Sequence, residues 1–399
     1  MSIVLLKNEV LDELTRNILP FWMTNMKDHE RGGYYGRMTG GNELVKDAPK
    51  GGILNARILW TFSSAALHLR SEAYLAEAKR AKNYIFRHFF DDQYGGTYWM
   101  LHADGTPADT KKQVYSQAFF IYALAEYYRA SGDEEALSEA KALFGLIERH
   151  SFDTAKNGYL EAYSRDWALL DDLRLSEKDA NEKKTMNTHL HVLEAYTNLY
   201  RVWKDEHLAC QLKNLIRIFL DKIIDQNTGH LRLFFDEDWH VKSTTVSFGH
   251  DIEASWLLDE AAVVLDDEET SHEIREVVLK VADAAAGGLC DNGALMNEKD
   301  NVTGHLDDNS DWWPQAESMV GFFNAYQVSG KNDYLYHVCK SWDFIKQHIV
   351  DKQHGEWFWS VSADGHQDTV NDKAGFWKCP YHNGRMCLEL INRIRSKNK

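Results

Sequence analysis

Apolar residues recur at steps of three and four along most of this chain, with polar residues between them. That period places the apolar positions on one face of a helix, as in Ile58, Phe62, Ala65 and Leu69. One set of such stretches predicts six helices over Gly52–Leu69, Val114–Arg129, Met186–Val202, Asp251–Leu265, Pro314–Val328 and Asn383–Ile394. A second set predicts six partners over Val4–Met26, Ala73–Phe89, Glu134–His150, His207–Ile224, Ser271–Ala286 and Asp333–Ile349.

A glycine followed closely by an aromatic or branched residue precedes each helix of the first set. The six copies end at Gly33, Gly96, Gly158, Gly229, Gly293 and Gly355, at steps of 63, 62, 71, 64 and 62 residues. Repetition at a fixed period is the signature of a repeat architecture. Six helix pairs favour a closed all-α ring, an (α/α)6 barrel with six inner and six outer helices. An open helical solenoid is the alternative.

The links between helices are of two lengths, and the difference predicts where a site lies. Short polar links such as Ser131-Gly132-Asp133 alternate with glycine-bearing links of tens of residues, in which we expect short β-hairpins. In a regular repeat all the long links lie on one face and lead into the N-terminal ends of the inner helices. Long loops on a rigid scaffold commonly carry function, and helix N-termini favour anionic groups. We therefore predict that the active face is there.

Composition narrows the class of protein. The 399 residues are 44% hydrophobic, and the even repeat without a Pro/Gly/Ser linker predicts a single domain over residues 1–399. A net charge of −16 argues against nucleic acid and anionic membranes as partners. No run of about twenty apolar residues occurs and the N-terminus lacks a basic region, so we expect a cytoplasmic protein. Five cysteines without a CxxC motif are expected to be free thiols.

Aromatic residues are unusually common, with 13 tryptophans and 18 tyrosines. Several stand at the predicted entrances of inner helices, including Trp60, Tyr115, Trp313 and Trp377. Flat rings flanked by hydrogen-bonding groups suit pyranose sugars, whose faces are apolar and whose rims carry hydroxyls. The alternative is that large rings fill a wide barrel.

Three histidines occur near the starts of different inner helices: His191, His250 and His382. His189 is two residues from His191, about 200° around a helix, so only one of them can face the centre. Glu253 shares a helical face with His250 and is expected to support it.

A metal site built from His250, Asp251 and Glu253 is the rival interpretation of the same segment. Asp251 should point away from the other two, and no HExxH motif is present. Nucleophile elbows, phosphate loops and dinucleotide fingerprints are also missing from the sequence. We therefore expect no metal and no cofactor.

Five segments together carry a resemblance to a known family. They are NARILW (55–60), TMNTHLHVLEAY (185–196), SFGHDIEASW (247–256), WWPQAE (312–317) and WKCPYHNGR (377–385). In these the chain resembles the N-acylglucosamine 2-epimerase superfamily, and within it the cellobiose 2-epimerases. The resemblance runs from Phe21-Trp22 to the final helix and implies the same (α/α)6 barrel.

The resemblance implies epimerisation at C2 of the reducing-end glucose of β-1,4-linked disaccharides, such as cellobiose to 4-O-β-glucosyl-mannose and lactose to epilactose. Ring opening would precede removal of the C2 proton, and a cis-enediolate would be reprotonated on its other face. His250 and His382 match the family's two bases, His191 a third essential histidine, and Arg57 the arginine at the enediolate oxygens. Residues expected around the reducing-end sugar are Tyr115, Asn187, Trp313, Trp377 and Glu317.

Several alternatives remain open from the sequence. Mannobiose 2-epimerase, monosaccharide 2-epimerase and aldose–ketose isomerase activities belong to the same superfamily. A glycoside hydrolase would need two opposed carboxylates, for which Glu253 and Glu317 are the candidates, and a sugar-binding protein would need no catalyst. The charged loop from Asp166 to Lys184 either covers the site and grips the nonreducing sugar or is a solvated surface loop. The expected partner is a reducing disaccharide, with the protein a monomer or weak homodimer.

Overall fold

A computed structural model describes residues 2–177 and 179–396 of the chain. Six helices pack side by side in a closed inner ring, because each contacts the next and the last contacts the first. In ring order they are α3 (Gly52–Leu69), α5 (Val114–Ser131), α7 (Met186–Val202), α9 (Phe248–Leu265), α11 (Trp312–Ser329) and α13 (Tyr381–Ser396). The fold is the expected (α/α)6 barrel, and the open solenoid is wrong.

Outer helices pack against the inner ring between neighbours. They are α1 (Ile3–Asp12) with α2 (Leu19–Asn25), α4 (Glu72–His88), α6 (Glu134–His150), α8 (Glu206–Ile218), α10 (Glu268–Ala286) and α12 (Asn332–Phe344). Three of them continue through a turn or more of π-helix, at Glu13–Ile18, Phe219–Ile223 and Ile345–Ile349. Every predicted helix is therefore present, with ends that differ by a few residues.

The short links are built from helix caps at both ends. Gly132 and Asp266, with φ of 71° and 58°, end α5 and α9 in the left-handed conformation that stops a helix. Asp133 then accepts a hydrogen bond from the amide of Ala136 and begins α6. Because the C-terminal cap of one helix is followed directly by the N-cap of the next, these connections need few residues.

Each long link contains the repeated glycine turn, closed by one antiparallel bridge. The six bridges are Lys27–Tyr34, Phe90–Thr97, Phe152–Tyr159, Ile224–Leu231, Leu289–Leu295 and Val350–Trp357. The named strands are β1 (Lys50–Gly51), β2 (Met100–Leu101), β3 (Pro107–Asp109), β4 (Lys112–Gln113), β5 (Ala162–Tyr163), β6 (Lys184–Thr185), β7 (Phe234–Phe235), β8 (Thr245–Ser247), β9 (Glu298–Asp300), β10 (Leu306–Asp307), β11 (Ser310–Asp311) and β12 (Ser360–Val361).

The strand pairing refines the expectation of β-hairpins. Pairs β2–β3 and β9–β10 are hairpins within one loop, whereas β4–β5, β6–β7 and β11–β12 join strands from successive loops. Lys112, for example, lies opposite Tyr163. Consecutive repeats are thereby connected on the face where the inner helices begin.

A side chain near the start of the inner helix fixes the glycine turn in four of the repeats. Gln117 accepts from the amide of Thr97 at 2.8 Å, and Gln315 accepts from that of Leu295 at 2.8 Å. His189 and Asp251 do the same for the amides of Tyr159 and Leu231, at 2.9 and 2.8 Å. His189 and Asp251 thus face away from the barrel axis, as their helical spacing predicted.

Buried ion pairs add a second connection beside the turns. In four repeats a lysine ahead of the inner helix meets an aspartate of the glycine turn: Lys50–Asp28, Lys112–Asp91, Lys184–Asp153 and Lys373–Asp351. Removing one member of such a pair leaves an uncompensated buried charge. Within the described ranges, the chain has no helix with the length and apolar character needed to span a membrane.

Candidate active site

A cavity of about 520 Å³ opens among the N-terminal ends of the inner helices, on the face of the long links. Nine of the ten residues expected at the site line it: Arg57, Tyr115, Asn187, His191, His250, Glu253, Trp313, Trp377 and His382. Helices α9, α11 and α13 begin two or three residues earlier than predicted. Their first turns, which open onto the cavity, therefore include His250, Trp313 and His382.

His250 is held by a hydroxyl group. Its Nδ1 lies 2.8 Å from Oγ of Ser247, and its ring centroid is 4.7 Å from that of Trp313. Burial, with a contribution from His191, lowers the pKa of His250 to about 3, so the ring is neutral near pH 7. The expectation that Glu253 supports His250 is wrong, because the carboxylate of Glu253 instead accepts from Arg385 at 2.6 Å.

His382 is held by a carboxylate. Its Nδ1 lies 2.7 Å from Oε1 of Glu317, which requires Nδ1 to carry the proton when that acid is ionised. The neutral ring then has its lone pair on Nε2. Burial, together with Arg57 and Arg385, places the pKa of His382 well below its ordinary value.

Glu317 differs from its predicted role. We expected it around the sugar, but it is fully buried and does not line the described cavity. Its oxygens accept from His382, from Nε1 of Trp256 at 3.0 Å and from Arg385 at 2.6 Å. Glu317 therefore acts on His382 and has no position from which to touch a ligand in this cavity.

His191 has a carboxylate partner of its own on the same helix. Its Nδ1 lies 2.9 Å from Oε2 of Glu194, one helical turn further along. Burial acts to raise the pKa of Glu194, but Arg385 and His191 outweigh it and lower that pKa to about 2. The His191 ring packs against those of Tyr115 and Phe119, each with a centroid distance of 4.8 Å.

Arg57 presents a buried cation at the cavity wall. One terminal nitrogen donates to the hydroxyl of Tyr115 at 2.9 Å and the other to the carbonyl of Trp377 at 3.2 Å. The guanidinium lies 4.3 Å from the ring centroid of Phe119 and 4.8 Å from that of Tyr381. A cation held this rigidly in a site of low polarity strongly favours negative charge on a ligand oxygen.

Three buried polar atoms on the cavity-lining residues have no hydrogen-bond partner within residues 2–177 and 179–396: Nε of Arg57, Oδ1 of Asn187 and Nε1 of Trp312. Buried polar groups are almost always paired, so such atoms indicate positions where a ligand or water completes the bonding. Two donors and one acceptor beside aromatic rings match the hydroxyl groups and apolar faces of a sugar.

Arg385 joins the acidic residues behind the histidines, and the sequence interpretation missed it. Its side chain is completely buried and donates to the carboxylates of Glu194, Glu253 and Glu317. Burial, and repulsion by Glu317, raise the pKa of Glu253 to about 7 in spite of Arg385. Glu194 could have been found from its spacing of three from His191, whereas Arg385 meets acids more than 60 positions away.

The acids do not form the pair that a glycoside hydrolase needs. Such enzymes place two carboxyl groups on either side of the scissile bond. Here Glu253 and Glu317 both accept from Nη2 of Arg385 at 2.6 Å, so they lie side by side, and only Glu253 lines the cavity. The geometry therefore disfavours the hydrolase alternative.

The loop from Asp166 to Lys184 borders the site, apart from Lys178, which is outside the described residues. The cavity is lined on this side by Leu175, Ser176, Glu177 and Asp179. All of these except Glu177 also line an adjoining cavity of about 400 Å³. Gln113, just before α5, donates to the carbonyl of Arg174 at 2.9 Å and ties the loop to the barrel. The loop covers one side of the site, which rules out a purely solvated surface loop.

Comparison with known proteins agrees with this geometry. The family model for N-acylglucosamine 2-epimerase (GlcNAc 2-epimerase) matches residues 33–384. The chain is 57% identical to a cellobiose 2-epimerase of Bacteroides fragilis, over 97% of this chain and 99% of that protein. The solved cellobiose 2-epimerase of Bacillus thermoamylovorans superposes with a TM-score of 0.93 at 45% identity, over 97% of this chain and 99% of that one.

A more distant structure shares the fold alone. The crystal structure of a D-mannose isomerase superposes with a TM-score of 0.83 at 21% identity, covering 97% of this chain and 98% of that one. With a family match over most of its length and relatives above 40% identity across nearly the whole chain, this protein belongs to the N-acylglucosamine 2-epimerase family.

Proposed function

We propose that this protein is a carbohydrate epimerase that inverts C2 of the reducing-end glucose of β-1,4-linked disaccharides, converting cellobiose to 4-O-β-glucosyl-mannose. One observation carries the proposal: His250 and His382 reach the same cavity from α9 and α13, on either side of α11. Both rings lie against Trp313, with centroid distances of 4.7 and 5.8 Å. Inversion at carbon requires two acid/base groups, one for each face.

The reaction begins with opening of the sugar ring, which exposes the C1 aldehyde and makes the C2 proton acidic. Nε2 of one histidine takes that proton, and the electron pair left on C2 is delocalised into a cis-enediolate. Arg57 stabilises the charge that develops on the enediolate oxygen. The other histidine, protonated on both ring nitrogens beside the anionic enediolate, gives its Nε2 proton to the opposite face of C2 and becomes neutral. The proton held by the first histidine then leaves through water, and the second histidine is protonated again, which restores the starting state. His191 assists ring opening or binds the sugar.

The two histidines differ in which neutral tautomers their hydrogen-bond partners allow. Nδ1 of His382 faces the carboxylate of Glu317, whose pKa is raised by burial and is lowered in turn by Arg385. While that acid is ionised, it keeps the lone pair of the neutral ring on Nε2. Nδ1 of His250 meets a hydroxyl group, which can donate or accept. His250 can therefore take either neutral tautomer, whereas neutral His382 is held ready to act as a base.

The disaccharide assignment is supported by the space beside the catalytic groups. The 520 Å³ cavity adjoins the 400 Å³ one, and Asn187, His250 and Trp313 line both. The second cavity extends the space beyond the catalytic groups, and each volume lies within the range of about 300–1,000 Å³ that is common for small-molecule pockets. The loop from Asp166 to Lys184 borders both spaces and would contact the second sugar. A mannobiose or monosaccharide 2-epimerase, or an aldose–ketose isomerase, remains the alternative.

The test is NMR of cellobiose incubated with the protein in D2O, with and without EDTA. We expect glucosyl-mannose carrying deuterium at C2, because proton exchange at the histidines labels that carbon. A ketose product would identify an isomerase, and free glucose a hydrolase. Cellobiose that stays unchanged and unlabelled would refute the disaccharide assignment, and mannose, fructose and N-acetylglucosamine would be the next substrates.

A further inference from the structure

We propose that Arg385 is a positioning residue of the active site, orienting His191 and His382 through the carboxylates that hold their Nδ1 atoms. This inference rests on the proposed function of those histidines. Arg385 is completely buried, lines no described cavity and therefore acts on a substrate only through other residues.

One guanidinium serves acids from three other inner helices. Nη1 donates to Oε1 of Glu194 on α7, whose second oxygen faces His191. Nη2 donates at 2.6 Å to Oε1 of Glu317 on α11, the same oxygen that faces His382 at 2.7 Å. Nη2 also donates at 2.6 Å to Glu253 on α9. Both carboxylates that set a histidine therefore share a single cation.

The shape of the guanidinium matters as much as its charge. It lies over two aromatic rings, 4.8 Å from the ring centroid of Trp256 and 4.3 Å from that of Tyr381. A lysine ammonium would keep the charge, but it is a compact group that cannot reproduce the fork of donors. A conservative replacement should therefore retain the electrostatics and lose the orientation.

Removal of the cation would change which atom carries the histidine proton. Glu253 already has a pKa of about 7 beside Arg385. Arg385 lowers the pKa of Glu317 against the effect of burial, so loss of the cation raises the pKa of Glu317 further and favours its protonation. If Glu317 is protonated, its hydroxyl donates to Nδ1 of His382, and the ring proton moves to Nε2. The lone pair that must accept the C2 proton is then lost.

The acid limb of the pH profile should move as well. Charged and titratable groups around His382 come from every inner helix packed near it: Arg57 from α3, His191 and Glu194 from α7, His250 and Glu253 from α9, Glu317 from α11 and Arg385 from α13. Arg385 is among the cations that disfavour protonation of His382. Without it the ring protonates more easily, so activity is lost at a higher pH.

The experiment compares Arg385→Met and Arg385→Lys with Arg393→Lys as the matched control. Arg393 lies two helical turns further along α13, pairs with Glu389 at 2.9 Å and also lies near Trp256, but contacts no histidine partner. We measure kcat and KM on cellobiose against pH, and the ¹⁵N shifts of the histidine rings in the free protein.

For Arg385→Met we expect kcat to fall at least 100-fold with KM within threefold, the acid limb to rise by about one pH unit, and His382 to lose its Nδ1–H signature. Arg385→Lys should lower kcat by 10-fold or more while leaving the acid limb in place. Arg393→Lys should keep kcat within threefold. If Arg385→Met does not fold, the kcat, pH profile and ¹⁵N shifts of Arg385→Lys test the proposal.

A folded Arg385 variant with wild-type ¹⁵N shifts and pH profile would overturn the proposal and leave Arg385 a purely structural residue. The two hypotheses fail separately. If the wild-type protein does not epimerise cellobiose, the proposed function is refuted, while the ¹⁵N shifts still show whether Arg385 orients the histidines.

Discussion

Replacing Glu317 with glutamine tests whether a buried carboxylate fixes the catalytic form of His382. The two oxygens of Glu317 accept from three donors: Nδ1 of His382 at 2.7 Å, Nη2 of Arg385 at 2.6 Å and Nε1 of Trp256 at 3.0 Å. A glutamine of the same size has one acceptor oxygen and an NH2 donor. Whichever way the amide is turned, its NH2 group faces at least one of these buried donors.

The size of the effect follows from what the amide cannot do. A buried donor left without an acceptor costs about 1–3 kcal/mol of stability, which for a chain of this length corresponds to a fall in Tm of roughly 1–4 °C. Activity should suffer more, because an amide allows His382 the wrong tautomer. In serine proteases the comparable change from aspartate to asparagine lowers kcat about 10⁴-fold. We expect kcat to fall by about 10²–10⁴, or about 3–5 kcal/mol in the barrier.

The assay is the initial rate of C2 epimerisation of cellobiose, with Tm from circular dichroism. Glu148→Gln is the matched control, because the side chain of Glu148 is only 7% exposed and its carboxylate accepts from three donors outside the active site, Tyr159, Tyr196 and Gln211. It should lose similar stability and keep kcat within about threefold. Equal losses of kcat in the two variants, or an unchanged kcat in Glu317→Gln, would refute the tautomer argument.

Three further predictions follow from the same contacts. His250→Asn and His382→Asn should each abolish epimerisation. Each variant should still exchange the C2 proton of one epimer for deuterium in D2O, and the two variants should exchange different epimers. Exchange of both epimers in either variant, measured by NMR, would contradict two opposed bases. Wild-type Tm should fall as pH drops from about 6.5 towards 3, because the unfolded chain binds a proton that His250, with its pKa lowered to about 3, does not. His250→Asn should lose less over that window, and an identical Tm curve would contradict the burial effect. Lys50→Met should cost about 3–5 kcal/mol of stability by leaving Asp28 unpaired, seen as a lower Tm with kcat nearly unchanged.

The helices were predictable because a 3.6-residue period is a local signal. Met186–Val202 and Glu134–His150 were predicted with the ends that the structure shows. The starts of α9, α11 and α13 were placed two or three residues late, because their first turns carry aromatic, histidine and glycine residues that break the period. Those first turns face the cavity, so their side chains do not need the regular apolar spacing that helix packing requires.

The residues that line the cavity were easier to predict than the residues behind them that hold the histidines. The five residues assigned to catalysis come together at one cavity. Two of the three histidines have local partners, Glu194 for His191 and Ser247 for His250, whereas Glu317 reaches His382 from another repeat. Glu253 shares a helical face with His250, yet the fully ionised Arg385 attracts it more strongly. Ser247, which does hold His250, stands three residues before it, but a serine is common and the carboxylate of Glu253 three residues after it looked the stronger partner. No local pattern could show that a residue of the last repeat serves three acids of other repeats.

The repeat itself explains how one scaffold carries both turn-holding residues and chemistry. Counting from the start of each inner helix, the fourth residue of α3, α5, α7, α9 and α11, and the third of α13, are polar: Asn55, Gln117, His189, Asp251, Gln315 and Asn383. Each of them hydrogen-bonds to the backbone or side chain of a link, and none lines the described active-site cavity.

Two residues further along each helix, about 200° around it, stand Arg57, Phe119, His191, Glu253, Glu317 and Arg385. These six side chains form one layer across the barrel axis, linked by the contacts of Arg57 with Phe119, of Phe119 with His191, and of Arg385 with both glutamates. Because the two sets face opposite ways, the axial layer can change its chemistry while the fourth position keeps the turns in place.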